Sequence, residues 1–291
     1  MDILKVITPR GLELKGAIFG DKTADTVLVM LTGICSNVFQ NELLYATGEL
    51  LSKNNMACII AHAHDSFSCF AYSDFSTGKQ KHAGVFSDDF NMVYEDVESY
   101  VKCAKDMGFK NIILAGHSLG SNKIIHYLGT TPDDFVDYFI VSSPVDIMHW
   151  WDVMPDIDKC FALAKKWVDE GRGDDILPFL FGGFSPMSAK TVLGFYNADN
   201  LKNCPVLSKK GETLSLYNIK PQGAFIIGSK DSVTGNSPKG FMETLNGWTK
   251  KPDLNEVIEI KDASHIFYGK HDIYAKTVLN CIQNRFLAAC I

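Results

Sequence analysis

A serine at the centre of a Gly-X-Ser-X-Gly pentapeptide is the residue of this chain best suited to covalent chemistry. Ser118 lies in the run Gly116-His117-Ser118-Leu119-Gly120, which follows a short apolar segment and precedes a segment with helical spacing. A strand, a sharp turn and a helix would place the hydroxyl at the amino end of the helix, where free N–H groups and the helix dipole favour a negative oxygen. Glycines two positions to either side let the strand and the helix approach closely. The pattern predicts nucleophilic attack on an acyl carbon.

The predicted nucleophile needs a base, because a serine hydroxyl is weakly nucleophilic at neutral pH. Of the eight histidines, His265 is the best candidate, since it lies in a short loop just after the predicted strand 256–260. Functional groups of an open parallel sheet gather beyond the carboxyl ends of the strands. We expect His117 to pack beside the serine rather than react. His62 and His64 follow another strand and are weaker candidates for the base.

Two aspartates follow predicted strands and could orient that base. Asp231 comes shortly after the strand 223–228 and gives the chain order serine, aspartate, histidine that accompanies this type of turn. Asp146 follows the predicted strand 136–142 and is the alternative. Either carboxylate would hold the histidine in the correct tautomer and stabilise its cation.

Backbone N–H groups are expected to bind the oxyanion that develops during attack. The first is that of Leu119, the residue after the nucleophile, and the second should come from the loop that follows the predicted strand 26–31. Ile34 is the first candidate in that loop and Cys35 is the second.

These residues require strands that end at a common edge of a sheet. Apolar runs alternate with segments of helical spacing, and this alternation predicts an α/β fold with a mainly parallel sheet covered by helices. An amino-terminal antiparallel hairpin, 2–7 and 12–19, is expected to cap one edge of the sheet. The further predicted strands are 26–31, 56–61, 112–115, 136–142, 223–228 and 256–260, and the first predicted helices are 41–54 and 90–107.

Two segments fall outside this alternation. Residues 143–205 are predicted to form an inserted helical cap, with 1–142 and 206–291 as the core domain. The aromatic residues of the cap include Trp150, Trp151, Phe184 and Phe195. They would form a second small core, roof a pocket for an apolar substrate group, or do both. Residues 62–89 show little periodicity, and we expect this long loop to line the site.

Composition excludes several classes of function. The 291 residues carry a net charge of −6 without a block of Lys or Arg, so a nucleic-acid partner has no electrostatic basis. No apolar run approaches the roughly 20 residues needed to span a membrane, and no signal peptide is visible. The eight cysteines are scattered without metal-ligand spacing. We therefore expect a cytoplasmic protein without metal or organic cofactor, and the sequence leaves its oligomeric state open.

Three short motifs together resemble the α/β-hydrolase superfamily over nearly the whole chain. They are Gly116 to Gly120, Gly228-Ser229-Lys230-Asp231 and Ala263-Ser264-His265. The resemblance implies an eight-stranded, mostly parallel sheet with a helical cap inserted after the sixth strand. It also implies a triad with Ser118 as nucleophile. Thr32-Gly33-Ile34 stands where many members have His-Gly, so the oxyanion loop lacks the support of that histidine, although the backbone donor does not depend on it.

Within the superfamily the chain is most similar to small bacterial and fungal carboxylesterase-type enzymes, some of which open ester linkages in secondary metabolites or siderophores. His64-Asp65 and the segment 78–90 resemble the loop that such proteins carry before the serine turn. Ala63 replaces the expected glycine, and Ala61 or His62 replaces the expected arginine.

The predicted activity is hydrolysis of a carboxylic ester or thioester through an acyl-enzyme. The predicted substrate is a small-molecule ester with an apolar or aromatic group. Two alternatives stay open at this point. The same acyl-enzyme could be captured by an alcohol or amine in an acyltransferase, or the fold could serve as a non-catalytic ligand-binding receptor.

Overall fold

An eight-stranded sheet forms the frame of the molecule. The computed structural model describes residues 1–87, 89, 92–132, 134–181, 185–196, 203–208 and 213–287. The strands are β1 (Asp2–Ile7), β2 (Glu13–Phe19), β3 (Thr26–Leu31), β4 (Ala57–Ala61), β5 (Phe70–Ser73), β6 (Gln80–Ala83), β7 (Asn111–His117), β8 (Tyr138–Ser142), β9 (Ile176–Phe181), β10 (Ser185–Ser188), β11 (Gln222–Gly228) and β12 (Glu256–Ile260). The order in the large sheet is β1-β2-β4-β3-β7-β8-β11-β12, and every pair from β4 to β12 is parallel.

Helices cover both faces of this sheet. They are α1 (Glu42–Ser52), α2 (Val93–Asp106), α3 (Leu119–Thr130), α4 (Ile147–Asp152), α5 (Ile157–Asp169), α6 (Ala189–Tyr196), α7 (Leu214–Asn218), α8 (Pro238–Gly247) and α9 (His271–Leu287). The apolar sides of α1 and α9 share one hydrophobic cluster with one face of the sheet. Those of α2, α3 and α8 belong to the cluster on the opposite face. The central strands β3, β4, β7 and β8 are almost entirely buried, as expected for strands covered on both faces.

The predicted eight-stranded, mostly parallel sheet is confirmed. The predicted strands and the amino-terminal hairpin differ from the observed strands by at most two residues at either end. The helix predicted over 90–107 is observed as α2, and its predicted start at Phe90 lies outside the described residues. Among the residues that the structure describes, no helix combines the length and the apolar composition that a bilayer crossing requires.

The chain leaves the sheet after β8, the sixth of the sheet strands along the sequence, and returns at β11. Residues 143–205 are not purely helical as predicted, because the antiparallel pair β9 and β10 lies between α5 and α6. The buried Trp151 packs against Trp150, Phe161 and Phe195 at ring-centroid distances of 5.6, 5.5 and 6.2 Å. The inserted aromatics pack together but belong to the hydrophobic cluster on one face of the large sheet, so they do not form the separate second core that was predicted. Phe184 lies outside the described residues.

The loop predicted over 62–89 also contains regular structure. Its middle forms the antiparallel hairpin β5–β6, which pairs only within itself among the described residues. The end of the segment reaches the inserted region, where the Thr191 hydroxyl donates to the Phe86 carbonyl at 3.4 Å. Sequence periodicity missed this hairpin because its strands are only four residues long and mostly exposed.

Candidate active site

The turn between β7 and α3 holds its central serine in a strained conformation. Ser118 has φ 56° and ψ −129°, and a positive φ is unfavourable for a residue with a side chain. A Cβ at Gly116 would lie 2.4 Å from the Gly120 carbonyl oxygen, and a Cβ at Gly120 would lie 2.5 Å from the Leu31 carbonyl oxygen. Both flanking positions must therefore be glycine, and the turn carries the Ser118 hydroxyl beyond the end of β7.

The structure brings Ser118, His265 and Asp231 together at the carboxyl edge of the sheet. The Ser118 hydroxyl donates to His265 Nε2 across 3.0 Å. On the other side of the ring, His265 Nδ1–H donates to both oxygens of Asp231, at 3.0 and 3.1 Å. Asp231 follows β11 and His265 follows β12, so parallel strands carry both side chains to the serine. In this arrangement the histidine is positioned to take the serine proton.

The Asp231 carboxylate is buried and held in its charged form. Burial by itself raises the pKa of Asp231, but the hydrogen bond and the charge of His265 bring the pKa below its ordinary value, with help from the backbone N–H of Val233. An ionised carboxylate at this position fixes Nδ1 as the protonated nitrogen of His265, which leaves Nε2 free to accept.

Asp146, the alternative acid, has a different set of partners. Its Oδ1 accepts from the His149 backbone N–H at 3.1 Å and caps the start of α4. Its Oδ2 accepts from the N–H groups of Leu207 and Ser208, at 2.9 and 2.8 Å. Among the described residues, none of its hydrogen bonds goes to a histidine ring. Asp146 therefore ties the described residues 203–208 to α4, and the geometry favours Asp231 as the partner of His265.

Of the two candidate oxyanion donors in the loop after β3, the N–H groups of Ile34 and Cys35, only one is free within the described structure to bind a substrate oxygen. The Cys35 N–H donates to the Asp65 carbonyl at 2.9 Å, so it is already engaged. Across the part of the chain that is described, no acceptor bonds the N–H of Ile34 or that of Leu119. Both residues line the same cavity as Ser118. Ile34 rather than Cys35 is thus available to bind an oxygen beside the nucleophile.

A buried ion pair supports this loop where the sequence lacks the expected histidine. Lys123 on α3 pairs through Nζ with Asp65 Oδ1, and both side chains are fully buried. The Asp65 carbonyl accepts from Cys35, and the hydroxyls of Thr32 and Ser66 are 2.7 Å apart. The helix that follows the nucleophile is therefore connected to the oxyanion loop. Sequence analysis missed Lys123, since nothing local identifies the partner of a lysine on a helix.

His117 was expected only to pack, and the structure shows a directed contact as well. Its Nε2–H donates to the backbone carbonyl of His265 at 2.8 Å, and its ring lies 5.4 Å from the His265 ring and 5.9 Å from that of Phe267. Burial, and next the charge of His265, lower the pKa of His117 from 6.5 to about 4. The neutral ring joins the loop of the catalytic-base candidate to the end of β7.

The other histidine candidates make structural contacts. His62 Nδ1–H donates to the Lys15 carbonyl at 2.7 Å, and its Nε2 accepts from the Val38 N–H at 3.0 Å. Burial lowers the pKa of His62 to about 4. His64 Nδ1–H donates to Asp96 at 2.5 Å. Within the described ranges, no three His, Cys, Asp or Glu side chains are grouped so that they could hold a metal ion.

A cavity of about 320 Å³ opens beside the serine. Ser118 and His265 lie on its wall together with the oxyanion loop. The rest of the lining is mostly apolar and includes Val145, Ile147, Trp150, Phe195, Val233 and Ile266. Trp150 and Phe195 thus contact the buried Trp151 and also line this cavity.

Comparisons with known proteins agree with this architecture. A family model described as "Protein of unknown function (DUF1749)" matches residues 26–199. None of the curated proteins matches the chain. A structure of Est1E from Butyrivibrio proteoclasticus with ferulic acid bound is 15% identical, covers 95% of this chain and 98% of its own, and has a TM-score of 0.62.

Two further solved structures show the same fold. The α/β hydrolase GrgF from Penicillium sp. sh18 is 14% identical, with 98% of this chain and 96% of that chain covered and a TM-score of 0.69. The esterase Pf2001 from Pyrococcus furiosus is 17% identical, with 97% and 92% covered and a TM-score of 0.55. The predicted α/β-hydrolase fold is confirmed by these matches.

The neutral state of His117 predicts a pH dependence of stability. Its pKa is about 4 in the fold and 6.5 as its ordinary value, so the unfolded chain binds more protons between these values. The stability associated with neutral His117 is complete above pH 6.5 and is lost as the pH falls toward 4. Between pH 7 and pH 5, the unfolding free energy of His117→Gln should fall by about 2 kcal/mol less than that of the parent, measured by urea unfolding. Equal losses in the two proteins would contradict this assignment.

Because Lys123 and Asp65 are both buried, we expect the fold to lose much of its unfolding free energy when one of them is replaced. Lys123→Met should lower the unfolding free energy by about 3 to 5 kcal/mol, because it removes the cation that compensates the buried Asp65 carboxylate. The matched double variant Lys123→Met with Asp65→Leu should recover most of this loss, because it replaces the ion pair with apolar groups. Urea unfolding of the three proteins measures the difference. A double variant no more stable than the single one would show that the two charges are not coupled.

Proposed function

The chain belongs to the family described as a protein of unknown function (DUF1749) and has the α/β-hydrolase fold, and from this premise we propose that it is a serine hydrolase of carboxylic esters or thioesters. The observation that carries the proposal is the continuous hydrogen-bonded chain from the Ser118 hydroxyl through His265 to the buried Asp231. A serine held on a strained turn and bonded to a histidine is equipped for acyl chemistry.

In the first step, Ser118 Oγ attacks the carbonyl carbon and its proton passes to His265 Nε2. Asp231 stabilises the imidazolium that forms, and it keeps Nδ1 oriented toward its own carboxylate. The carbonyl oxygen becomes an oxyanion between the N–H groups of Ile34 and Leu119. Such a donor contributes about 3 to 4 kcal/mol to transition-state stabilisation.

The tetrahedral intermediate then collapses to an acyl-enzyme. The bond to the leaving oxygen or sulfur breaks, and that atom receives the proton held on His265 Nε2. In the second half, a water molecule gives its proton to the same nitrogen and attacks the acyl carbon. Collapse releases the carboxylic acid and returns the proton to Ser118.

The apolar lining of the cavity favours a substrate whose acyl group, the part that lies beside Ser118, is apolar. Its wall includes Val145, Trp150 and Phe195, which offer apolar and aromatic surface. The ferulic acid bound to Est1E is an aromatic acid on a related fold, and it supports the same class of acyl group here. We take 143–205 as a lid, since α4 and α6 contribute Trp150 and Phe195 to this wall.

Replacing the nucleophile tests the proposal. Ser118→Ala should reduce kcat for p-nitrophenyl butyrate by about 10⁴-fold or more, since the acyl-enzyme can no longer form. The control Ser73→Ala changes an exposed serine at the end of β5, in the hairpin β5–β6, and should keep the parent kcat. Full hydrolysis by Ser118→Ala would show that the assignment is wrong.

Two aspartate variants distinguish the candidate acids. Asp231→Asn should reduce kcat by about 10⁴-fold, because an amide favours the wrong tautomer of His265. Asp146→Asn should keep kcat within a few-fold of the parent, since its hydrogen-bond partners lie at the start of α4 and in residues 203–208 and do not include His265. Both values are measured on folded protein with the same aryl ester. A larger kcat loss in Asp146→Asn than in Asp231→Asn would reverse the assignment.

A further inference from the structure

A second cavity, of about 300 Å³, adjoins the active-site cavity. The two cavities share Ser36, Asn41 and Ile266 on their walls. The second cavity differs in chemistry, because most of the residues on its wall carry a polar group, whereas apolar residues predominate on the wall of the first. Its further polar side chains are those of Gln40, Glu42, Tyr268 and His271.

Hydrogen bonds already order part of this polar wall. Asn41 Nδ2 donates to the Ser36 hydroxyl oxygen at 2.9 Å, while Asn41 Oδ1 accepts from the Leu43 N–H at the start of α1. The Ser36 proton is therefore directed away from Asn41 and is able to bond a ligand. On the far side, His271 Nδ1 lies 3.2 Å from Glu42 Oε2. The side chain of His271 is 12% exposed and that of Glu42 is 77% exposed, so the carboxylate faces solvent at the rim.

The second cavity lies where the leaving alcohol of an ester substrate would extend. The leaving oxygen must lie within reach of His265 Nε2, which supplies its proton. Ile266 is the next residue in the same loop and lines both cavities, and Tyr268 carries that wall into the second one. An ester with its acyl group in the apolar cavity therefore directs its alcohol across Ile266 toward the polar cavity.

We propose that the second cavity binds the alcohol part of the substrate, and that this alcohol is polyhydroxylated. The inference rests on the serine-hydrolase function proposed above. The NH2 groups of Gln40 and Asn41 can donate, because their amide oxygens already accept from Asn37 and Leu43. The hydroxyls of Ser36 and Tyr268 can donate and accept, so the wall offers both kinds of partner that a group with several hydroxyls requires. The carboxylate of Glu42 accepts from hydroxyls and repels an anionic leaving group.

The test compares two esters with the same acyl group and alcohols of similar size, glycerol 1-butyrate and pentyl butyrate. The parent chain should hydrolyse the glycerol ester with a kcat/KM about tenfold above that of the pentyl ester, because only glycerol can replace the water bound by the polar wall. Glu42→Leu should lower this ratio about fivefold. The matched variant Glu49→Leu removes the same charge from α1 outside the cavity and should keep the parent ratio.

The outcomes separate the two proposals. Cleavage of p-nitrophenyl butyrate that depends on Ser118, combined with a parent ratio at or below one, would overturn the alcohol site and leave the hydrolase proposal intact. A ratio that is equal in the parent and in Glu42→Leu would also overturn the alcohol site. If no ester is cleaved, including the aryl ester, both proposals fail.

Discussion

The strained backbone of Ser118 is the constraint on which the rest of the site depends. A non-glycine residue at φ 56° costs about 1 to 3 kcal/mol, so surrounding structure must hold it there. The main chains around Gly116 and Gly120 are too close for any side chain, which fixes α3 directly against β3 and β7. In return the hydroxyl stands beyond the sheet edge. That edge is where the loops after β11 and β12 begin, so Asp231 and His265 from two distant parts of the chain lie close to Ser118.

Two buried polar contacts tie these loops to the nucleophile. Lys123 joins α3 to Asp65 and through it to the oxyanion loop, and His117 joins β7 to the carbonyl of His265. Both contacts start within five residues of Ser118 along the chain. The proposed base and the proposed oxyanion donor are therefore positioned relative to the same short turn. With such preorganisation, the backbone N–H dipoles point toward the oxygen before negative charge develops on it. Little reorganisation is then needed during the reaction.

Local signals in the sequence were sufficient for the strands of the large sheet, the serine turn and the order of Ser118, Asp231 and His265. Each depends on neighbours in the chain, such as an apolar run followed by a glycine or a polar residue just after a strand. The partner of Lys123 is 58 residues away, and no local pattern could identify it. The hairpin β5–β6 was missed because its strands are short and mostly exposed, and β9 was missed because its sequence is apolar without alternation and contains Pro178. Asp146 and Asp231 both follow strands, so only the distances in the fold distinguish them.

Reaction with a fluorophosphonate, followed by mass spectrometry of the peptides, tests the central claim most directly. The probe asks whether the Ser118 hydroxyl is activated, whatever the natural substrate is. The account predicts one phosphonyl group on Ser118, formed with loss of fluoride, and much slower labelling of the His265→Gln variant. Folded parent protein that leaves Ser118 unlabelled, or labelling at the same rate in His265→Gln, would contradict the account.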